Sequence, residues 1–465
     1  MQKQLITGEK EKRIMWIKVE VVPSDREIIY LPSSLTAGSK ESIIINFGKK
    51  SVNAHIEYVD DLNFEGDSSF EKPCVIRFSD KLKEKLLVQE SLVYRIKILD
   101  SCILIGPVIG LLLGIHTHRY NPRHMKKYSD RFGIYNKVGG LIYAFSPKSI
   151  NWKKQTAFGL YYNIVKELWE YGCFPLPDVI YRRNFHSNTK FIKKLNELTE
   201  DKVFNSYRFS KYELYSYISS NDELKKFLPP TELSLKYSQA KDFIDRYSKV
   251  IFKPLDLSRG RGICVVEKIY YKIDYIYKIT DYRYRHPVIS TLYDDKSLEN
   301  FFSLNPNLFS KYLIQKYLPL AKIDDSLFDI RVVMQKRRDK TWGCTGIECR
   351  VSNNNSHLTN ISRGGYALSL NEALHRAFAA DCEALANQIY EFCQKFCLHM
   401  DKMGEHFAEF GMDIAVDADK NIWLIEANVF PSFKGFKSMD RQTYLSIRYA
   451  PFLYALSLTQ LGEDK

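Results

Sequence analysis

Near the C-terminal end of the chain, two carboxylates and an amide fall at the spacing of one strand face. Residues 411–431 read GMDIAVDADKNIWLIEANVFP. Met412, Ile414 and Val416 alternate with Asp413, Ala415 and Asp417, the period of two of a half-buried strand. Residues 417–421 carry turn chemistry, so the spacing predicts an antiparallel hairpin. A loop at 418–421 sets Asp413 opposite Glu426 and gathers Ile414, Val416, Trp423 and Ile425 on the apolar face. Asn428 joins the two acids on the other face. Facing carboxylates repel unless a positive charge lies between them, and a few hard oxygen ligands suit magnesium delivered with a nucleotide's phosphates. The plainer alternative is a solvent-facing hairpin with two incidental acids.

Cations of matching use occur upstream. Lys253 ends an apolar strand, which places its ammonium at the mouth of a cleft. The loop behind it, Ser258, Arg259, Gly260, Arg261 and Gly262, offers backbone N–H groups with little steric cover, as phosphate-covering loops do. It is neither a Walker motif nor a dinucleotide fingerprint. Lys211, on the preceding helical stretch, supplies a second charge. Asp329 and Arg331 share one face of a strand, Arg350 closes the next, and Asn360, Arg363, Gly364 and Gly365 follow a turn. Arginine forks fit planar anions, although each could equally be a structural salt bridge. Cys393, Cys397 and His399 read as helix core, because tetrahedral zinc needs ligands not found nearby. Residues 270–285 alternate aromatic and basic side chains. Such a stretch can bind single-stranded nucleic acid, but a sheet edge whose tyrosines cover a core is the better reading.

These groups need a scaffold. At 465 residues, with 45% hydrophobic and 26% charged, the chain is globular and long enough for about three domains. A net charge of +13 favours anionic partners, and its scattered distribution argues against a dedicated nucleic-acid arm. Nine cysteines without a C-x-x-C pair and a polar N-terminus predict a reduced, cytoplasmic chain. The longest apolar run, residues 103–115, is too short to span a bilayer and reads as a buried strand and turn. Residues 1–101 read as a β-rich domain, a small barrel or sandwich. Residues 102–205 read as an open α/β unit, with helical spacing at 158–171. Residues 206–445 hold all the candidate site residues, including strands at 250–253, 328–335 and 341–351 and a long helix at 374–403. Residues 446–465 form a C-terminal helix and tail, the helix starting near Arg441.

The set SKYELY, IFKPLDLSRGRGI, LIQKYL, FDIRVVMQ, SNISRGG and GMDIAVD…IWLIEAN resembles the ATP-grasp enzymes, most closely the spore-coat-associated YheC/YheD group. The motifs stand in the family's order over residues 206–440, and the set is specific although no single piece is. The resemblance implies two α+β subdomains gripping ATP behind an α/β domain, and an ADP-forming carboxylate–amine ligase working through an acyl-phosphate. It implies that Lys211 and Lys253 contact the ATP phosphates, with Lys253 also near adenine. Residues 258–262 would form the lid, with Asn360 also on the nucleotide, and Gln315, Lys316, Tyr317 and Leu318 would hold adenine through backbone groups. Asp413, Glu426 and Asn428 would hold Mg2+, two ions bridged by Glu426, with Mn2+ as an alternative. Arg331, Arg350 and Arg363 would serve the transferring phosphoryl group. The partners implied are ATP, a carboxylate and an amine, on a peptide or spore protein, in the cytoplasm or at the forming coat. The lid departs from many relatives in carrying Arg259 and Arg261, and Glu409 stands where the family often has an acid. A non-catalytic ATP-binding coat protein and a nucleic-acid-binding protein are the rival expectations.

Overall fold

The computed structural model describes residues 14–32, 40–60, 62, 68–183, 189–233, 236–255, 262–352, 365–378 and 382–462. The first strands are β1 (Ile14–Val22), β2 (Ile28–Leu31), β3 (Ser42–Phe47), β4 (Lys50–Tyr58), β5 (Cys74–Ser79), β6 (Val93–Ile98) and β7 (Cys102–Gly106). They close a barrel in the order β1-β5-β2-β4-β3-β7-β6. In β3, Ile43, Ile45 and Phe47 point inward while Ile44 stays exposed, the alternation a closed sheet requires. The apolar run at 103–115 is therefore two strands in two sheets. Pro107 has no N–H to give a ladder, and β8 (Val108–Leu112) starts beyond it.

The second sheet adds β9 (Leu141–Asn151), β10 (Thr156–Asn163), β11 (Leu168–Pro175), β12 (Val179–Arg182) and β13 (Val203–Phe204), in the order β11-β10-β9-β8-β12-β13. Strands β9, β8, β12 and β13 run parallel. The helical spacing expected at 158–171 is not realised, since these residues form β10 and β11. Asn163 Oδ1 accepts from the backbone N–H groups of Val165 and Lys166, both at 3.1 Å, and this local turn reverses the chain.

The third sheet comprises β14 (Thr231–Leu233), β15 (Lys249–Pro254), β16 (Cys264–Tyr271), β17 (Asp274–Asp281), β18 (Val288–Leu292) and β19 (Tyr312–Lys316), in the order β14-β19-β15-β16-β17-β18. Its core, with Phe243, Phe252, Tyr277 and Phe302, is separate from the others. The tyrosine-rich stretch lies here. Tyr277 is fully buried, Tyr275 and Tyr277 donate to Asp295, and Arg283 is bound by Asp281, while Tyr270, Tyr271 and Tyr284 stay exposed.

The fourth sheet comprises β20 (Lys322–Ile323), β21 (Ser326–Lys336), β22 (Trp342–Val351), β23 (Tyr366–Leu368), β24 (Glu409–Val416) and β25 (Ile422–Asn428), in the order β23-β22-β21-β24-β25, with β20 on β21. One face buries Ile330, Val332, Met412 and Ile414 against the helices Leu370–Phe378 and Cys382–Asp401. The helix expected at 374–403 is described over Leu370–Phe378 and Cys382–Asp401, with residues 379–381 outside the described residues. Cys393 and Cys397 are buried there as free thiols. On the other face, Val333 packs under Phe433, Phe436, Tyr444 and Ile447, from the helices Lys434–Met439 and Arg441–Ser457 and the residue before them. The rest of that face carries charge. No helix among the described residues is long and apolar enough to cross a membrane.

The fourth sheet is joined to the second. Phe452 and Tyr454 of the last helix lie in the same core as the barrel and the second sheet. Glu409, fully buried, accepts from Tyr181 Oη at 3.1 Å, Arg183 Nη1 at 2.9 Å and Gln335 Nε2 at 2.7 Å. Arg183 Nη2 also donates to the Pro431 carbonyl at 2.7 Å. Arg183→Ala would leave a buried carboxylate short of its counter-charge and is expected to cost on the order of 3 kcal/mol in a denaturant titration. Arg246→Ala, removing an exposed partner of Glu232, is the control and is expected to have little effect.

Candidate active site

Strands β22, β21, β24 and β25 bring four charged residues into one cross-strand row. Glu348 pairs with Arg331, Arg331 with Asp413, and Asp413 with Glu426. Directly paired residues share a sheet face about 5 Å apart, so the row is a continuous line of charge. Arg331 Nε and Nη2 donate to the two Asp413 oxygens at 2.5 and 3.0 Å, and its Nη1 donates to the Ser432 carbonyl at 3.2 Å. Arg350 makes the same fork to Asp329, at 2.6 and 2.7 Å, and its Nη2 lies 3.1 Å from Asp413 Oδ1. Burial pushes the Asp413 carboxyl up, but the Arg331 and Arg350 guanidiniums outweigh it and hold the group below its ordinary value.

The pairing of Asp413 with Glu426 agrees with the sequence reading, but by a different register. Val416, not Asp417, faces Ile422, and a bulge between Asp413 and Ile414 restores the offset. Asp417 is drawn into the turn, where it accepts from Asn421 and Trp423 side chains. Ile422 and Leu424 consequently take the apolar face with Ile414 and Val416, in place of Trp423 and Ile425.

The third sheet delivers Lys253, and a helix packed in the fourth sheet's core delivers Lys211. Lys253, half-buried, donates to Gln315 Oε1 at 2.5 Å, and Gln315 Nε2 in turn donates to Thr231 Oγ1 at 2.7 Å. Lys211 begins a helix capped by Ser210 and donates to the Pro254 carbonyl at 3.0 Å. Burial and the neighbouring Lys211 push Lys253 down to about 8, with Glu426 opposing them. Burial and the Asp413 charge push Glu426 above its ordinary value, against Lys211, Lys253 and Arg331. The two sheets therefore meet electrically at Glu426. The backbone N–H groups of Lys316 and Tyr317 are engaged by Pro230 and Lys249 carbonyls, at 2.9 and 3.0 Å, and the Leu318 carbonyl accepts from Leu320. Ser258, Arg259, Gly260, Asn360 and Arg363 lie outside the described residues. Gly262 adopts φ of +74°, a left-handed conformation suited to glycine.

Two residues escaped the sequence reading. Glu348 is 2% exposed, and its Oε2 accepts no hydrogen bond among the described residues. Burial, aided by Asp329 and Asp413 and opposed by Arg350 and Arg331, pushes it up to about 7. A Cβ on Gly435 would fall 2.1 Å from that oxygen, so the glycine lets the chain after Asn428 pass over it. The signal was a lone acid inside the apolar run GIECRV. Arg183 was signalled by two arginines closing the apolar strand VIYRR.

Asn428 pairs with Gly411 and completes the oxygen set on the face of Asp413 and Glu426. Two carboxylates and an amide with lysines nearby have the donor chemistry that suits a hard cation carrying phosphate oxygens. A lysine-bearing sheet opposed to a sheet of acids and arginines defines the ATP-grasp class. The chain belongs to the YheC/D like ATP-grasp family, whose model matches residues 200–458, more than half of the chain.

Two relatives are endospore coat-associated proteins of Bacillus subtilis (strain 168). YheD is 26% identical over 457 residues, spanning 93% of this chain and 94% of its own. YheC is 22% identical over 280 residues, spanning 59% of this chain and 76% of its own. Among solved structures, the ATP-grasp ligase PsnB complexed with minimal precursor aligns with 76% of this chain and 100% of its own, at 13% identity and a TM-score of 0.44. N5-carboxyaminoimidazole synthetase from Staphylococcus aureus complexed with ADP aligns with 75% of this chain and 77% of its own, at 10% identity and a TM-score of 0.42.

The two hairpin acids should differ in stability assays. Asp413, held below its unfolded value of about 3.9, contributes stability present above that pH and lost as the pH falls through its folded value. Glu426, held above its unfolded value of about 4.3, costs stability as the pH rises from there. At neutral pH without metal, Asp413→Asn is expected to destabilise by on the order of 3 kcal/mol. Glu426→Gln is expected to be neutral or stabilising by up to about 1 kcal/mol. Denaturant titration of both variants decides it.

Proposed function

We propose that the protein is an ATP-dependent carboxylate–amine ligase that forms an amide on an amino acid, peptide or protein. The observation that carries this reading is the position of Glu426, beside Asp413 and near Lys211 and, from the third sheet, Lys253. In this reading the two lysines bind the triphosphate and residues 258–262 fold over it, with Asn360 contributing. Residues 315–318 line the adenine. Asp413, Glu426 and Asn428 hold magnesium, in two ions, which when bound screens the phosphate charge. Burial and Lys211 lower the Lys253 ammonium to about 8, and a triphosphate beside it would favour the charged form again.

The reaction needs positioning and charge neutralisation more than a side-chain nucleophile. The substrate carboxylate forms an O–P bond to the γ-phosphorus while the bond to ADP breaks. The amine then forms a C–N bond to the acyl carbon, phosphate leaves with the C–O electrons, and the amine gives up a proton. Arg331 and Arg350, fixed by Asp413 and Asp329, stand ready for the equatorial oxygens without reorganising, and Arg363 is assigned the same task. The coat-associated names of the relatives support a spore protein as the substrate.

A second reading is a coat protein that binds ATP without turning it over. It is favoured by Asp413, whose charge two arginines already neutralise. The two readings separate in one experiment, a screen of amino acids and peptides for stimulated ADP release with mass spectrometry of the products. The ligase reading expects a substrate that raises ADP release and gains an amide, and expects Glu426→Gln to abolish both. Nucleotide binding with no turnover on any substrate would favour the second reading.

Nucleotide affinity should also depend on pH. Below about 8 the Lys253 ammonium is present and affinity is flat; above it the free site loses the proton and the dissociation constant for Mg-ATP should rise, by up to about tenfold per unit. Lys253→Met should flatten this rise and weaken binding by about 10- to 100-fold, as loss of a charge-assisted contact does. Calorimetry across the range from about pH 6.5 to 9.5 reads both.

A further inference from the structure

The second sheet has a ligand-binding topology that the reaction above does not use. Strand β8 is flanked by parallel partners, β9 on one side and β12 on the other, and the chain leaves it first toward β9. Ligands of open α/β sheets bind at the carboxyl ends of the strands where such a switch occurs. At that end of β8 the chain runs GIHTHRYNPRHMKK, residues 114–127, with four Lys or Arg, three His and no acid. No Asp or Glu occurs anywhere from residue 101 to residue 129. His118, Arg119, Arg123, Lys126 and Lys127 are exposed.

Like charges are crowded here. Lys127 Nζ lies 2.8 Å from His124 Nε2, and Arg119 and His118 also act on that imidazole. The strip continues inward. Lys127 Nζ and Arg131 Cζ each stand 5.2 Å from the centre of the Tyr128 ring. Arg131 is 3% exposed, its Nη1 has no hydrogen-bond partner among the described residues, and its charged neighbours are Arg448 and Arg183. Arg183 ends β12 and reaches the Pro431 carbonyl, three residues past Asn428. Beyond Arg131 the positive charge is met by acids, Arg448 being paired with Asp130 and Arg183 with Glu409, so the basic strip ends at Arg131.

We infer that residues 116–127, with Arg131 behind them, form a docking strip for an acidic peptide. The inference does not depend on the ligase reading. A peptide is preferred to a nucleic acid because the aromatic rings beside the strip already have partners. Phe158 and Tyr171 stack at 5.8 Å, His116 and His118 lie 5.5 Å apart, and Tyr128 is covered by Lys127 and Arg131. Recognition is left to charge, which carboxylates satisfy.

The test uses the full chain without nucleotide and a fluorescein-labelled peptide of alternating glutamate and glycine, read by anisotropy. Binding is expected to weaken several-fold between about 50 and about 300 mM salt. The triple variant Arg119→Gln, Arg123→Gln, Lys127→Gln is expected to lose about tenfold in affinity while unfolding at the wild-type temperature. The same change at the exposed Lys225, Lys272 and Lys296 should leave affinity intact. Equal losses in both variants, or no loss in the first, would overturn the strip. So would single-stranded RNA of matched charge that binds more tightly and loses affinity in the first variant only. Peptide binding of the expected pattern without any ADP release on Mg-ATP would leave the strip standing and count against the ligase reading alone.

Discussion

A carboxylate withdrawn from water has to be neutralised where it stands, and Asp413 is neutralised from one side. Arg331 and Arg350 close around it from β21 and β22, and each arginine is oriented by a second acceptor, Ser432 and Asp329 respectively. The charge left over belongs to Glu426, which shares Arg331 with Asp413 and looks otherwise to Lys211 and to Lys253 of the third sheet. The asymmetry gives the row a direction. Its β22 end is buried under Gly435, its β25 end opens on the cleft, and the group with the most to gain from a cation stands at the open end.

The legible part of the site was the part written in alternation. Strand periodicity put Asp413, Glu426 and Asn428 on one face, and it did so although the turn begins a residue early. A bulge of one residue cancelled that error, and no sequence signal announces such a bulge. Alternation could not reveal that Arg331 and Arg350 would serve Asp413, because the partner depends on which strands are neighbours. Glu348 was hidden by the opposite rule, an acid in an apolar strand passing for a surface residue until Gly435 closes over it.

The fold was less legible where strands are short of polar punctuation. Residues 158–171 are aromatic and apolar with polar residues at 163, 166, 167 and 170, which fits a helix face as well as two strands. The Asn163 turn decides between them, and it uses one side-chain oxygen and two backbone donors. The run at 103–115 shows the converse. One unbroken apolar stretch serves two sheets because Pro107 interrupts the ladder but not the hydrophobicity.

The tie from Arg183 to Glu409 and Pro431 has a mechanical side. The fourth sheet is bolted to the body of the molecule through that tie, through Arg448 on the Lys127 carbonyl, and through Phe452 and Tyr454 in the common core. The third sheet has a core of its own, and Lys211, whose helix packs in the fourth sheet's core, reaches over to donate to the Pro254 carbonyl of β15. The buried charge pairs run from the fourth sheet to the second, so parting those two sheets would strip a carboxylate of its counter-charge, a penalty that the separately cored sheet carrying Lys253 does not share.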